Sequence, residues 1–317
     1  MGIFTPITVG LKNMTSTKKA FYVRNGSGTE FPVYDTDGNI YSAGSVINSG
    51  AGKSWYVNTV TGSDSYDGKS WDTPFATMAK AFTVIASRDV IYMIGKVREQ
   101  IIAPLGVYGV TIVGADTRPR HDLAASWMAP VSGPTSGKAL CEIVEQGWVF
   151  QNILFVSHTS AAAIQMTRAE DAVHPDPSHA MFINCRFFGV DGIEDIGGCF
   201  GVQVLGCQFY GLTGTAIMQN GVSIDTPTGW VVDGCQFINN ANAIVKPMKW
   251  GTVKNCQFNT NTVTINLTGG TAPNYIHDNQ FNIAAADFDP AGGVTGVAGD
   301  YWNNWLLDGL ETGLPAN

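Results

Sequence analysis

The sequence repeats a four-residue motif, and this repeat decides the fold. The motif occurs in INCRFF at 183–188, LGCQFY at 205–210, DGCQFI at 233–238 and KNCQFN at 254–259. HDNQFN at 277–282 keeps the frame with Asn for Cys, and FQNILF at 150–155 fits it more loosely. Each full copy has a small or polar residue before the Cys and Phe two residues after it. The Cys or Asn positions are Asn152, Cys185, Cys207, Cys235, Cys256 and Asn279.

The spacing of the repeat favours a solenoid of short β-strands. Successive positions lie between 21 residues apart, from Cys235 to Cys256, and 33 residues apart, from Asn152 to Cys185. A period of about 20–30 residues with one strand-rich unit per repeat is typical of stacked coils. Short alternating apolar runs precede the motifs, and no unit has room for an amphipathic helix of about ten residues. Helical repeats are therefore excluded.

The motif resembles the recurring turn of the right-handed parallel β-helix in the pectate-lyase-like and tail-spike-like superfamily, over residues 55–285. The runs TRPRHDLAASW at 117–127, GWVFQNILF at 147–155 and CRFFGVDGIEDIGGCF at 185–200 are similar to phage-encoded β-helix proteins. The resemblance implies an all-β, right-handed parallel β-helix. It also implies that buried Asn or Cys residues of successive coils form a ladder.

Stacked coils are expected to bring equivalent side chains into contact, because parallel strands lie about 4.8 Å apart. Asn can then bond to Asn of the next coil, and Cys fills the same position as a small hydrophobic residue. We therefore predict one column of the six Cys or Asn residues and a second, aromatic column inside the coil. The aromatic column consists of Phe187, Phe209, Phe237, Phe258 and Phe281.

The composition is that of a rigid β-protein with many turns: charged residues are 14% of the 317 residues, and 37 residues are Gly. The formal net charge of −8 argues against a nucleic-acid partner. No apolar stretch reaches the roughly 18 residues that a membrane span needs. The six cysteines lack zinc-site spacing, and stacked parallel cysteines hold their Cβ atoms too far apart for a disulfide. Free thiols are expected.

The chain divides into four segments. Residues 1–50 are expected to form a small β-module, with DTDGN at 35–39 as a hairpin signal. Residues 51–113 open the solenoid and carry a capping helix, and residues 114–285 form the β-helix. Residues 286–317 form a C-terminal cap or a subunit contact. This last segment contains the apolar cluster Tyr301, Trp302, Trp305, Leu306, Leu307 and Leu310.

The capping helix is predicted at 74–86. Thr73 is a suitable N-cap, and Pro74 suits the first helical position. An apolar stripe at helical spacing is expected to be buried across the first coil. A solenoid needs such a cover because its terminal coil otherwise exposes a strand edge and the core. The stripe consists of Phe75, Met78, Phe82 and Ile85.

The loop at 62–68 contains Asp64 and Asp67, two carboxylates of the kind that bind Ca²⁺. Two carboxylates are few for a calcium site, and Asp, Ser and Gly also form ordinary Asx turns. A turn is therefore favoured, and neither a metal ion nor a cofactor is expected.

The densest acidic group is GVDGIEDIGG at 189–198, which holds Asp191, Glu194 and Asp195. A glycosidase needs two carboxylates about 5–5.5 Å or about 6.5–9.5 Å apart, and these spacings in a turn allow that. Acids in glycine-bounded turns are mostly solvated, however, and nothing in the flanking sequence suggests the burial that would raise a pKa. The three acids are thus candidates, while the expectation is that the chain has no catalytic residue.

Two functions compete. The favoured one is a non-enzymatic phage virion protein, such as a head decoration protein, head fibre or spike. Glycan-cleaving spikes that the chain resembles usually have a longer solenoid and further C-terminal domains, which favours a chain that is not an enzyme. The alternative is a tail-spike-type protein that binds or depolymerises a glycan.

The favoured function implies a homotrimer on the virion surface, because three flat-sided solenoids can pack about a threefold axis. Residues 1–50 are expected to contact other virion proteins of the capsid or tail. A host surface glycan is a further partner, whereas nucleic acid and membrane are not expected. The N-terminus lacks the layout of a signal peptide, which favours synthesis in the host cytoplasm.

Overall fold

The computed structural model describes residues 8–13, 19–24, 30–34, 40–42, 45–47, 52–115, 126–129, 139–157, 161–167, 177–219, 228–245, 250–267, 274–282, 294–296, 300–302, 304–306 and 311–312. The chain forms two compact units, Met1–Lys53 and Ser54–Asn317. No helix among the described residues is long and apolar enough to cross a membrane.

The first unit is a small antiparallel sheet. Its strands are β1 (Thr8–Asn13), β2 (Lys19–Arg24), β3 (Glu30–Tyr34), β4 (Ile40–Ser42) and β5 (Ser45–Ile47). They pair in the order β1-β2-β3-β4-β5, as expected of a chain with frequent turn signals. The hairpin signal at 35–39 lies outside the described residues.

The second unit consists of short strands. The first are β6 (Ser54–Asn58), β7 (Val90–Val97), β8 (Ile101–Ile102), β9 (Thr111–Gly114), β10 (Ser126–Met128), β11 (Cys141–Ile143), β12 (Val149–Gln151), β13 (Leu154–Val156) and β14 (Ala162–Met166). The middle strands are β15 (Met181–Ile183), β16 (Arg186–Phe188), β17 (Asp191–Asp195), β18 (Gln203–Leu205), β19 (Gln208–Tyr210), β20 (Thr215–Gln219), β21 (Val231–Asp233), β22 (Gln236–Ile238) and β23 (Asn242–Val245). The last are β24 (Thr252–Lys254), β25 (Gln257–Asn259), β26 (Val263–Leu267), β27 (Tyr275–His277), β28 (Gln280–Asn282), β29 (Val294–Gly296), β30 (Asp300–Trp302), β31 (Asn304–Leu306) and β32 (Glu311–Thr312).

These strands form three parallel sheets, and each complete coil contributes one strand to each sheet. Sheet 1 contains β6, β7, β9, β12, β15, β18, β21, β24, β27 and β30. Sheet 2 contains β10, β13, β16, β19, β22, β25, β28 and β31, and the end of β7 pairs with β10. Sheet 3 contains β8, β11, β14, β17, β20, β23, β26 and β29. The chain is an all-β parallel β-helix, which confirms the predicted fold class.

The motif's first residue makes the sharp turn from sheet 1 to sheet 2. This residue has a positive φ in successive coils, a conformation that Gly, Asn and Asp adopt most readily. Small or polar residues before the Cys are therefore a requirement of the backbone. The positions are Asn152 (58°), Asn184 (50°), Gly206 (60°), Gly234 (66°), Asn255 (53°) and Asp278 (56°).

Helix α1 (Met78–Phe82) is shorter than the predicted 74–86, and its N-cap is Thr77 rather than Thr73. Phe75 instead lies in extended backbone beside β6, where its N–H donates to Tyr56 O and its carbonyl accepts from Asn58 N, both at 2.9 Å. Pairing with the first strand of the solenoid thus overrides local helix propensity.

The apolar stripe nevertheless covers the first coil. Phe75, Met78 and Ile85 are buried, and Phe82 is half-buried against the core. The Phe82 ring meets the Trp148 ring edge-on with centroids 5.8 Å apart. Together these side chains shield the edge and the interior of the coil that would otherwise face water.

The repeat continues beyond residue 285, where the sequence was expected to leave the coil. Strand β30 pairs in parallel with β27, and β31 pairs in parallel with β28. Strand β32 then pairs antiparallel with β31. Leu307 and Leu310 of the apolar cluster lie outside the described residues, while Trp302 and Trp305 are strand residues.

Candidate active site

A row of polar residues lies on the outer side of sheet 3. In β11, β14 and β17 one partly exposed polar residue lies between buried neighbours, and these residues are Glu142, Gln165 and Glu194. The strand register aligns the three on successive coils. Gln165 Nε2 donates to Glu194 Oε2 at 2.9 Å, which fixes the direction of that carboxylate.

Asp191 and Glu194 lie at the two sides of a buried pair on the same strand. Gly192 and Ile193 are buried, whereas the two acids are partly exposed. Glycine is required at 192 because a Cβ there would overlap the carbonyl oxygen of Ala216 on the next coil. This close approach of β17 and β20 brings Thr215 N to Asp191 Oδ1, to which it donates.

The Asp191 carboxyl holds its proton more tightly than an ordinary aspartic acid. Partial burial raises its pKa, the Thr215 N–H lowers it, and the negative charge of Glu194 raises it again, with a net rise. The expectation that these acids are mostly solvated is therefore wrong for Asp191, which is partly buried. A carboxyl with a raised pKa beside a second carboxylate is the arrangement used for general acid and base catalysis.

Asp195 has a different environment, although it is the next residue after Glu194. Its side chain is fully buried and accepts hydrogen bonds from the backbone N–H groups of Gly197 and Gly198, at 2.9 Å, and of Cys199, at 3.0 Å. Burial raises its pKa against the effect of these donors. Asp195 thus holds the turn after β17 and cannot reach a ligand on the outer face.

Asp64 and Asp67 hold the loop before α1. Asp64 Oδ1 accepts from the N–H groups of Ala76 and Thr77, both at 3.0 Å. Asp67 Oδ1 accepts from Thr73 Oγ1 at 2.6 Å, and this bond is the main reason that its pKa is lowered. Within the described ranges, no group of three or more His, Cys, Asp or Glu residues is placed to hold a metal ion.

The motif cysteines lie in one buried column between sheets 1 and 2. Each thiol donates to a carbonyl of the preceding coil, as Cys207 does to Phe182 O and Cys235 to Val204 O, both at 3.3 Å. All six cysteines of the chain are buried, free thiols. Burial raises the pKa of Cys141, Cys207 and Cys256, so these thiols stay neutral.

The column continues as an asparagine ladder. Asn279 Oδ1 accepts from Cys256 N at 2.9 Å, and Asn279 Nδ2 donates to Asn304 Oδ1 at 3.1 Å. Asn152, which the sequence placed in this column, lies one position earlier, and Asn184 Nδ2 donates to its Oδ1 at 2.7 Å. Buried Ile153 occupies the column in that coil.

The motif phenylalanines stack inside the solenoid on the inner side of sheet 2. Neighbouring rings are nearly parallel, with centroids 4.7–4.9 Å apart from Phe187 to Phe281. The stack begins one coil earlier than the sequence indicated, because the Phe155 and Phe187 rings also stack, with centroids 5.1 Å apart. The members are Phe155, Phe187, Phe209, Phe237, Phe258 and Phe281.

Glu142 and Gln165 were missed in the sequence. A signal was present, since CEI at 141–143, IQM at 164–166 and IED at 193–195 each hold a polar residue after an apolar one. Recognising the row requires these three segments to be aligned across coils, and the motif spacing does not supply that register.

No protein-family model matches the sequence, and comparison with curated proteins finds no match. Solved structures do match. A pectin methylesterase from Aspergillus niger aligns over 88% of this chain and 93% of its own, with a TM-score of 0.50 and 16% identity. Pectin methylesterase PemA from Erwinia chrysanthemi aligns over 82% and 91%, with a TM-score of 0.51 and 10% identity. An alginate lyase from Paenibacillus sp. aligns over 73% and 92%, with a TM-score of 0.51 and 13% identity.

The expectation that the chain is not an enzyme is wrong. It relied on glycan-cleaving spikes having a longer solenoid and further C-terminal domains, yet this chain covers 91–93% of the length of two pectin methylesterases and an alginate lyase. Their low identity shows a shared fold and carries no residue roles. The chain is a parallel β-helix protein, and its fold is the one found in these polysaccharide-processing enzymes.

Proposed function

We propose that the chain is a tail-spike-type protein that binds and hydrolyses a polysaccharide at the partly exposed Asp191 and Glu194 of β17. The observation that carries this proposal is that Asp191 and Glu194 are both partly exposed on one strand and lie close enough for the Glu194 charge to help raise the Asp191 pKa. Enzymes that act on polysaccharides share the fold, which supports this class of substrate.

The two acids would divide the work of glycoside hydrolysis. Asp191, whose pKa is raised, is the group that donates a proton to the glycosidic oxygen as the bond from that oxygen to the sugar carbon breaks. Glu194 accepts a proton from the water that attacks the same carbon. The bond from Gln165 holds the Glu194 carboxylate in place for this step. The products are two shorter chains, one of which carries a new reducing end.

The test is the release of reducing ends from purified pectin, alginate and bacterial surface polysaccharides. We expect the wild type to cleave at least one of them, and Asp191→Asn and Glu194→Gln to lower kcat by about 100-fold or more. Asp72→Asn, a change at an exposed acid in the loop before α1, is the matched control and keeps full activity. Absence of cleavage, or equal activity in all three variants, would reject the hydrolase.

A homotrimer on a virion surface is a further part of the proposal. Partly exposed apolar residues on the outer side of sheet 1, Ile183 and Leu205 on neighbouring coils among them, support contact between copies. Residues 1–50 are assigned to attachment because Met1–Lys53 forms a compact unit by itself. Light scattering of the wild type is expected to give a mass three times that of one chain. Leu205→Glu is expected to lower this mass, because it places a charge in the proposed contact. A monomeric wild type would contradict the trimer.

A further inference from the structure

A row of glutamines runs along the outer side of sheet 2, away from the proposed catalytic acids. Each occupies the third position of the motif, between the buried Cys or Asn and the buried Phe. The strand register places them directly above one another on successive coils. The row consists of Gln208, Gln236, Gln257 and Gln280, and Arg186 continues it at one end.

The amides of this row are joined head to tail. Gln208 Nε2 donates to Gln236 Oε1 at 2.9 Å, Gln236 Nε2 to Gln257 Oε1 at 3.0 Å, and Gln257 Nε2 to Gln280 Oε1 at 3.3 Å. A primary amide has two N–H groups and a carbonyl with two lone pairs. Each inner member therefore has a second donor and a second acceptor available to a ligand at every strand spacing of about 4.8 Å.

A second outward row lies beside the glutamines. It contains two aromatic rings, since Phe188 and Tyr210 stack with centroids 6.1 Å apart, and Tyr210 is 42% exposed. It ends with two amides, where Asn282 Nδ2 donates to Asn259 Oδ1 at 2.7 Å. Ile238 lies between them in the register. The face thus combines uncharged hydrogen-bonding groups with an exposed aromatic ring.

This chemistry fits a chain of sugars better than other polymers. Sugar hydroxyls both donate and accept, as the amide row requires, and the apolar face of a sugar ring can lie on an aromatic ring. A nucleic acid would need a row of cations, whereas the four ladder residues are neutral. A second copy of the chain fits sheet 1 better, because apolar residues lie on its outer side.

We infer that the outer side of sheet 2 is a second glycan-binding surface, on which a polysaccharide lies along the stack of coils and contacts the Gln208–Gln280 row and Tyr210. The inference rests on the proposed function only for the class of ligand, since it requires no cleavage. Its role is to hold a long polymer while another segment of it occupies sheet 3.

The experiment measures binding with cleavage removed. Asp191→Asn protein is tested by affinity electrophoresis in gels containing pectin, alginate, xylan or a bacterial O-antigen polysaccharide. We expect retardation by at least one polymer. Adding Gln236→Thr, Gln257→Thr and Tyr210→Ala to the same protein should raise the dissociation constant at least tenfold, because these changes remove two amides and the exposed ring. Threonine keeps a strand-forming residue at both glutamine positions.

The matched control adds Gln146→Thr to Asp191→Asn. Gln146 is an exposed residue between β11 and β12, outside the glutamine row and the proposed subunit contact, and binding should be unchanged. Thermal midpoints equal to that of Asp191→Asn show that the added changes leave the fold intact, and Gln257→Thr alone replaces the multiple variant if that one is unstable. The inference would be overturned if the variant without the glutamine row were retarded as strongly as its parent. It would also be overturned if none of the four polymers retarded the protein.

Cleavage by the wild type separates this inference from the proposed function. Row-dependent binding without reducing-end release would leave the second surface standing and remove the hydrolase. Reducing-end release together with binding that is unchanged by loss of the glutamine row would leave the hydrolase standing and remove the second surface.

Discussion

Phe209 and Phe237, on neighbouring coils, stack with ring centroids 4.9 Å apart and ring planes within 2° of parallel. Both rings are fully buried. The separation of the rings matches the spacing of parallel strands, about 4.8 Å, so the backbone ladder and the aromatic stack have the same repeat. Each coil thus supports its neighbours through hydrogen bonds and through ring contacts at once.

Removing one ring from the middle of the stack should be costly. We expect Phe237→Ala to lower the free energy of unfolding by about 3–5 kcal/mol, because it leaves a cavity and breaks contacts with Phe209 and Phe258. Urea denaturation measures the change. Phe200→Ala, at a position that is 36% exposed, is the control and should cost less than about 1 kcal/mol. Equal losses in the two variants would contradict a role for the stack.

The asparagine ladder gives a second stability prediction. Asn279 accepts from Cys256 N and donates to Val253 O at 3.0 Å, so Asn279→Ala leaves buried backbone groups without partners. We expect a loss of about 1–3 kcal/mol. Asn282→Ala removes an exposed amide that bonds to Asn259, and its cost in the same denaturation experiment should be smaller. The reverse order would show that the ladder contributes little.

The solenoid was predictable because its constraint is periodic. A positive φ at one place in each coil restricts that place largely to Gly, Asn or Asp, and the adjoining Cys and Phe must fill the same slots in every coil. Asn152 shows the limit of this reading. FQNILF has Asn at the turn position, so aligning Asn152 with the cysteines shifted that coil by one residue, which left Phe155 out of the stack.

The candidate site was less predictable because it depends on neighbouring coils. Asp191 and Asp195 are both acids near glycines in the sequence, yet one is partly exposed and the other is buried under three N–H donors. The rise in the Asp191 pKa comes from burial against a neighbouring coil. A single stretch of sequence does not contain those partners.

Asp195 should act on stability and leave catalysis unchanged. Asp195→Ala leaves the N–H groups of Gly197, Gly198 and Cys199 without their acceptor, and we expect a loss of at least about 1–3 kcal/mol. Asp195→Asn retains an acceptor oxygen and should cost less. Denaturation gives the stability, and kcat is measured per folded molecule. A selective fall in kcat with unchanged stability would instead place Asp195 among the catalytic groups.

The pH dependence of stability tests the environment of Asp191 directly. Because its pKa in the folded protein exceeds the ordinary value of 3.8, the folded state binds the proton more tightly than the unfolded state. The resulting stabilisation is present below pH 3.8 and is lost as the pH rises through the folded pKa. Asp191→Asn lacks this titration but can still accept from Thr215 N. The thermal midpoint of the variant relative to wild type should therefore increase between about pH 3 and about pH 7.

Asp67 provides a control of opposite sign. Its pKa is lowered, chiefly by the Thr73 hydroxyl, so its stabilisation is present above pH 3.8 and is lost as the pH falls through the folded pKa. The thermal midpoint of Asp67→Asn relative to wild type should therefore decrease over the same pH interval. If both variants shift in the same direction, or if the Asp191→Asn difference is independent of pH, then the pKa of Asp191 is not raised in the folded protein. Its role as the proton donor would then be lost.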